Sequence, residues 1–294
     1  MQSSNPIFNR AEGFNGRRPA SVQTSSGVSY PAYGAPADPS AWGTGVPQQD
    51  QFTPGYVDQG RMTIDSVVQK TGITMAVVTV VAAITWVVTG DLYGPDAQEN
   101  ASLLYTLSLF GAFGGFALSM VNSFKRVVSP ALVLAYAAMQ GLFVGAFSKT
   151  IEAAFGDPSS PGLVLGAVVG TVAAVAGTLA AYKFFDIQVG TRFRKWVVAA
   201  MFGFVALALL DFVLHFFGAS FGFNGFGTVG LLSSIAGLGL GVLMLILDFD
   251  FVERGIAAGL PERESWRAAF GLTVTIVWIY IELLRILAIL RGND

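Results

Sequence analysis

Two carboxylates and a guanidinium occupy positions where apolar segments ordinarily carry none. Glu282 and Arg285 interrupt the run Ile-Tyr-Ile-Glu-Leu-Leu-Arg-Ile-Leu at 279–287, and Asp248 closes the run Leu-Ile-Leu-Asp at 245–248. Glu282 follows Arg267 by fifteen residues, roughly 20 Å along a helix that rises about 1.5 Å per residue. Ionisable groups at that depth are costly and line a polar cavity, an ion path or a proton relay. The chemistry open to them is cation coordination by carboxylate oxygens and proton sharing between close acids. Arg285 stands one turn beyond Glu282, so an i,i+3 ion pair on one helix is the plain structural alternative.

Three further groups belong to the same reading. Asp250, two residues after Asp248, is either an ordinary acid at a helix end or a second pathway group. Asp211 is another deep acid, and His215 four residues on shares its helical face. A histidine beside a carboxylate titrates near neutral pH. That pair reads either as a second gating element or as a polar contact satisfied by neighbouring helices.

Enzymatic chemistry has little to work with. The chain has no cysteine and one histidine, which excludes disulfides, thiolate catalysis, Cys-based zinc sites and multi-histidine metal sites. Ser233 and Ser234 lack a Gly-x-Ser-x-Gly elbow, and His215 would have to serve as their base. The run Gly-Leu-Gly-Leu-Gly at 237–241 follows no strand and lies inside an apolar segment, so it reads as helix packing and not as a nucleotide loop. The chain is read as a non-enzyme without a bound cofactor.

The elements that position these residues are membrane helices. Of 294 residues, 53% are hydrophobic and only 12% charged, with mean hydropathy +0.60, whereas a soluble domain is about 25% charged. With 17 basic and 19 acidic residues and no charge block, nothing points to nucleic acid. Residues 1–66 differ sharply from the rest. They hold seven of the twelve prolines and no leucine, contain no apolar h-region of a signal peptide, and read as a disordered tail whose aromatics, Trp42 and Tyr56 among them, offer docking points. Residues 67–294 form the membrane domain.

Seven spans are expected, near 72–89, 103–123, 128–149, 163–183, 196–217, 229–249 and 268–290, each close to the roughly 20 residues that cross a bilayer. The prolines beyond the tail (Pro95, Pro130, Pro158, Pro161, Pro261) all fall in breaks or at span ends. Lysine and arginine concentrate before the first span and in alternate breaks, at Lys125, Arg126, Arg192, Arg194, Lys195, Arg254, Arg263 and Arg267. The positive-inside rule then places the N-terminus in the cytoplasm. Small residues spaced by four, Gly111 and Gly115, Gly166 and Gly170, Gly237 and Gly241, are set to let helix backbones approach closely.

Together the motifs at 245–250 and 279–287, the seven spans and the acid in the last one resemble the Bax inhibitor-1 family, in its bacterial YccA-like branch, over about residues 62–291. The resemblance implies an all-α bundle of seven transmembrane helices around a central C-terminal helix, in the bacterial plasma membrane. It implies a pH-sensitive calcium leak gated by two acids that share a proton, here Asp248 and Glu282, with calcium as permeant ion and those carboxylates as its tentative ligands. It also implies a basic latch at the inner end of the second helix. The aligned position is Ser123, so Lys125 stands in for it. Membrane proteases and stress proteins are the implied partners, beside lipid, calcium and protons. Two rival functions are a regulatory membrane protein without transport, docking partners through its tail, and a proton-coupled transporter of a small solute.

Spacing sets a condition on the pair. Asp248 and Glu282 are 34 positions apart, and a hairpin turning near Gly259 leaves Glu282 about ten residues, roughly 15 Å, deeper than Asp248. The two meet only if 261–270 forms an interfacial segment before the last span.

Overall fold

Seven helices form where the apolar runs lie: α1 Ile64–Val88, α2 Ala97–Phe124, α3 Pro130–Phe155, α4 Leu163–Phe184, α5 Thr191–Phe216, α6 Thr228–Ala257 and α7 Glu264–Arg291. The computed structural model describes residues 60–156, 162–185, 187 and 189–292. The expected tail therefore lies outside the described residues up to position 59. All seven helices are long and apolar enough to span a membrane, and among the described residues there is no strand, only an isolated bridge between Arg61 and Pro261.

Helix ends differ from the hydropathy boundaries for local reasons. α1 starts eight residues before the expected 72, inside the segment read as tail, because Thr63 and Ser66 form a reciprocal capping box. Such a box satisfies two of the four open N–H groups of a first turn. The polar first turns also have partners elsewhere: Lys70 pairs with Glu262 at 2.8 Å, and the Ser66 hydroxyl meets that of Ser265 at 2.7 Å. α6 runs on to Ala257 and then stops in a Schellman arrangement. Gly259 adopts φ +64°, its N–H donates to the Ile256 carbonyl, and the Leu260 N–H donates to Gly255. Only glycine takes that left-handed conformation at little cost.

α7 is the centre. It packs against α1, α3, α4 and α6, whereas α2 touches only α3 and α5 only α6. Along α7 the buried residues include Ala269, Thr273, Ile279, Leu284 and Ala288, a run wide enough to face neighbours on several sides. α1 lies parallel to it, pinned by Ser66–Ser265 and by Thr74–Thr273 at 2.8 Å, with the same offset in both pairs. Glycines do what their spacing foretold in part. A Cβ at Gly111 would stand 2.6 Å from the Phe143 backbone nitrogen, and one at Gly145 would stand 2.6 Å from the Ala82 carbonyl. Gly166 and Gly170 meet only leucine side chains, at ordinary distance.

Hydrogen bonds between connections define the two ends of the bundle. At one end Met62 N–H donates to Leu260, Arg267 reaches the Arg126 carbonyl, and Arg254 reaches Val189. This end gathers the start of α1 and the α2–α3, α4–α5 and α6–α7 connections, where the lysines and arginines cluster. The far end gathers the other connections and the end of α7.

Candidate functional site

The register between α6 and α7 decides which charged groups meet. The two helices are antiparallel. Trp278 Nε1 donates to the Gly237 carbonyl at 3.0 Å, and Gly241 lies against Ile279. Farther toward the basic end, Thr275 Oγ1 donates to Asp248 Oδ2 at 2.6 Å, and Gly271 faces Asp248 Oδ1. Asp248 is thus level with Gly271, and Glu282 is level with Gly237. Eleven residues of helix, ~16 Å at 1.5 Å per residue, lie between the two levels on α7. The expected carboxylate pair does not form. Its condition fails because α7 begins at Glu264 as one continuous helix, held upright by the Lys70–Glu262 and Ser66–Ser265 contacts, and no interfacial segment precedes it.

Glu282 has different company. It is 4% exposed, and Arg285, 7% exposed, meets it one turn on at 3.2 Å. Gly237 supplies the room, since a Cβ there would lie 2.7 Å from Glu282 Oε1. Arg285 also donates to the carbonyls of Phe223 at 3.0 Å and Gly225 at 3.3 Å, in the α5–α6 connection. Asp211 holds the same connection from the other side. Its two oxygens accept the backbone N–H groups of Phe221 and Asn224, both at 2.9 Å. His215 is exposed and takes no part, so the expected Asp211–His215 element is not there. Ser233, considered above as a nucleophile, donates to the Phe223 and Gly230 carbonyls.

Asp250 is likewise engaged. It accepts from Arg194 at 2.7 Å and from Arg254 at 2.8 Å, which makes it an ion-pair knot tying α5 to α6 and not a pathway group. Lys125 is exposed beyond the end of α2 and forms no ion pair with Asp248 or Glu282 among the described residues. The latch assigned to it has no geometric support; α7 instead meets the adjacent Arg126 carbonyl through Arg267.

A profile of proteins described as Bax inhibitor 1 like matches residues 5–292. The chain belongs to that family. The match extends well into the segment that the sequence placed outside the family's common core. No curated protein matches the chain.

Of the four candidate carboxylates in this Bax inhibitor 1-like bundle, Asp248 stands apart. Asp211, Asp250 and Glu282 are each held by backbone N–H groups or arginines. Asp248 is half-buried, accepts one hydrogen bond from Thr275, and has no ion-pair partner among the described residues. The described residues contain no group of three or more metal-ligating side chains. Asp248 and Glu282, on levels eleven residues apart, cannot ligate one calcium ion together, because calcium–oxygen distances are about 2.3–2.6 Å.

Two residues that the sequence did not single out organise the far end. Lys149 on α3 is 8% exposed and donates to the Trp86 carbonyl at 2.7 Å, Thr89 Oγ1 at 3.0 Å and the Gly90 carbonyl. It closes the C-terminal end of α1, where the helix dipole is negative. Glu152, three residues on, accepts the N–H groups of Gly162, Leu163 and Val164 at the start of α4, where the dipole is positive. The sequence shows the opposite charges at i,i+3, but the helix ends that receive them are remote in the chain.

Proposed function

We propose that this Bax inhibitor 1-like protein is a proton-regulated calcium leak of the bacterial inner membrane, of the YccA-like branch, with its N-terminus and basic end cytoplasmic, and that Asp248 alone carries the regulation. The observation behind this reading is the isolation of Asp248: a carboxylate within a membrane helix, facing Thr275 and Gly271, with no basic partner among the described residues. An ion at such a position is expensive in an apolar surrounding unless something compensates it. A proton or a passing cation does so, and the two compete for one site. A single carboxylate with a hydroxyl supplies fewer oxygens than the six to eight calcium prefers, so binding is weak enough to let the ion leave, as conduction requires.

Calcium flux into proteoliposomes across a series of pH values tests the reading. Asp248→Asn keeps an acceptor for Thr275 and removes the charge, and flux should then lose its pH dependence. Glu282→Gln should leave that dependence in place. If flux and its pH profile are unchanged in Asp248→Asn, the reading is wrong.

A further inference from the structure

Between α1 and α4 the bundle is open. These two helices do not pack on each other, and α3 and α7 form the floor of the gap. The gap is a lateral groove of about 970 Å³, lined on α1 from Met75 to Trp86 and on α4 by apolar residues such as Val172 and Ala176. Its α1 wall runs over twelve residues, ~17 Å by helix rise, close to the ~15 Å of one leaflet of a 30 Å hydrocarbon core. The lining over that length is almost wholly apolar, which suits an acyl chain.

The groove leads at Trp86 and Glu152 into a second, more polar cavity of about 520 Å³, bordered by Asp91, Tyr93 and Lys149. Lys149 and Glu152 fasten the end of α1 and the start of α4 to α3 on opposite sides of this opening, and so set its width. Their bonding capacity is directed at those helix ends. Lys149 donates three hydrogen bonds to the end of α1, and Glu152 accepts three N–H groups from the start of α4. Among the described lining residues, the exposed charge at the rim is Asp91. Its sign favours a cationic group on whatever lies above the groove.

We propose that the α1–α4 groove binds one bilayer lipid, with an acyl chain along the groove and an ammonium-bearing headgroup at Asp91. The site is separate from Asp248, and its test is independent of any flux.

The full chain in detergent, mixed with equal amounts of phosphatidylethanolamine and phosphatidylglycerol, is read by native mass spectrometry. One lipid should stay bound, with phosphatidylethanolamine preferred. Ala176→Phe fills the groove from an exposed position and should weaken retention about tenfold, equivalent to about 1.4 kcal/mol. Ala173→Phe, exposed on the same helix outside the groove lining, should retain lipid as the parent does. Asp91→Lys should turn the preference toward phosphatidylglycerol. Retention of no lipid, equal retention by Ala176→Phe and the parent, an unchanged headgroup preference in Asp91→Lys, or a second copy of the chain held in place of lipid overturns the proposal.

Discussion

The two levels of the α6–α7 interface carry the same chemical group in opposite circumstances. At the far level, Glu282 is enclosed, matched by Arg285 at 3.2 Å, and joined through Arg285 to the carbonyls of Phe223 and Gly225. At the level nearer the basic end, Asp248 is half-buried and held by one hydroxyl, with no cationic side chain paired to it among the described residues. A matched buried pair is built to stay as it is, because separating it leaves an uncompensated charge. An unmatched acid has two inexpensive states, protonated or cation-bound. On the proposed function the difference gives Glu282 a structural part and Asp248 the responsive one, although both had looked like halves of one device.

The comparison breaks most visibly at Arg285. Arg285→Met strands the Glu282 charge and strips donors from two loop carbonyls, and should destabilise the fold by about 3–5 kcal/mol. Unfolding of the purified protein in mixed micelles measures it. Adding Glu282→Gln to that variant removes the stranded charge and should recover a measurable part of the loss. If Arg285→Met alone unfolds like the parent, the far level is not the fixed structure described here.

Smaller changes at the same level sharpen the point. Gly237→Ala puts a Cβ 2.7 Å from Glu282 Oε1 and 2.9 Å from a Phe204 ring atom, and overpacking of this kind costs about 1–3 kcal/mol. Asp211→Asn leaves one oxygen to face two backbone N–H groups, so one donor goes unsatisfied at a cost of about 1–3 kcal/mol. In both variants the pH profile of calcium flux should match the parent's, since neither touches Asp248. A shifted profile with little loss of stability would move the responsive element to the far level.

How much of this was legible in the chain depends on whether the partner is local. The spans were, because a membrane helix must be apolar over its length whatever it packs against. The i,i+3 relation of Glu282 and Arg285 was legible too, as was the depth gap between Glu282 and Asp248, which follows from Gly259 and a plain residue count. Family resemblance pulled the other way, toward pairing. Asp211 and His215 looked like partners at i,i+4, but Asp211 turns to two loop N–H groups contributed by Phe221 and Asn224. Lys149 and Glu152 drew no notice for the same reason: their partners are helix ends on α1 and α4, and a side chain's spacing carries no mark of a distant backbone group. The early start of α1 escaped hydropathy because its first turns are polar and are satisfied by Glu262 and Ser265 across the bundle.

The smallest expected effect on stability is the most informative for function. Asp248→Asn preserves shape and keeps an oxygen for the Thr275 hydroxyl, and no salt bridge among the described residues is lost. Its unfolding free energy should lie within about 0.5 kcal/mol of the parent, the range of substitutions that disturb no packing or network. Thr275→Val removes the hydroxyl that donates to Asp248 while leaving a side chain of similar shape. In that variant the carboxylate loses its one donor, so the pH at which flux changes should move while maximal flux is kept. Proteoliposome flux and micelle unfolding on the same two preparations separate the cases. If Asp248→Asn costs as much stability as Asp211→Asn, Asp248 has a partner like the others, and the contrast between the two levels disappears.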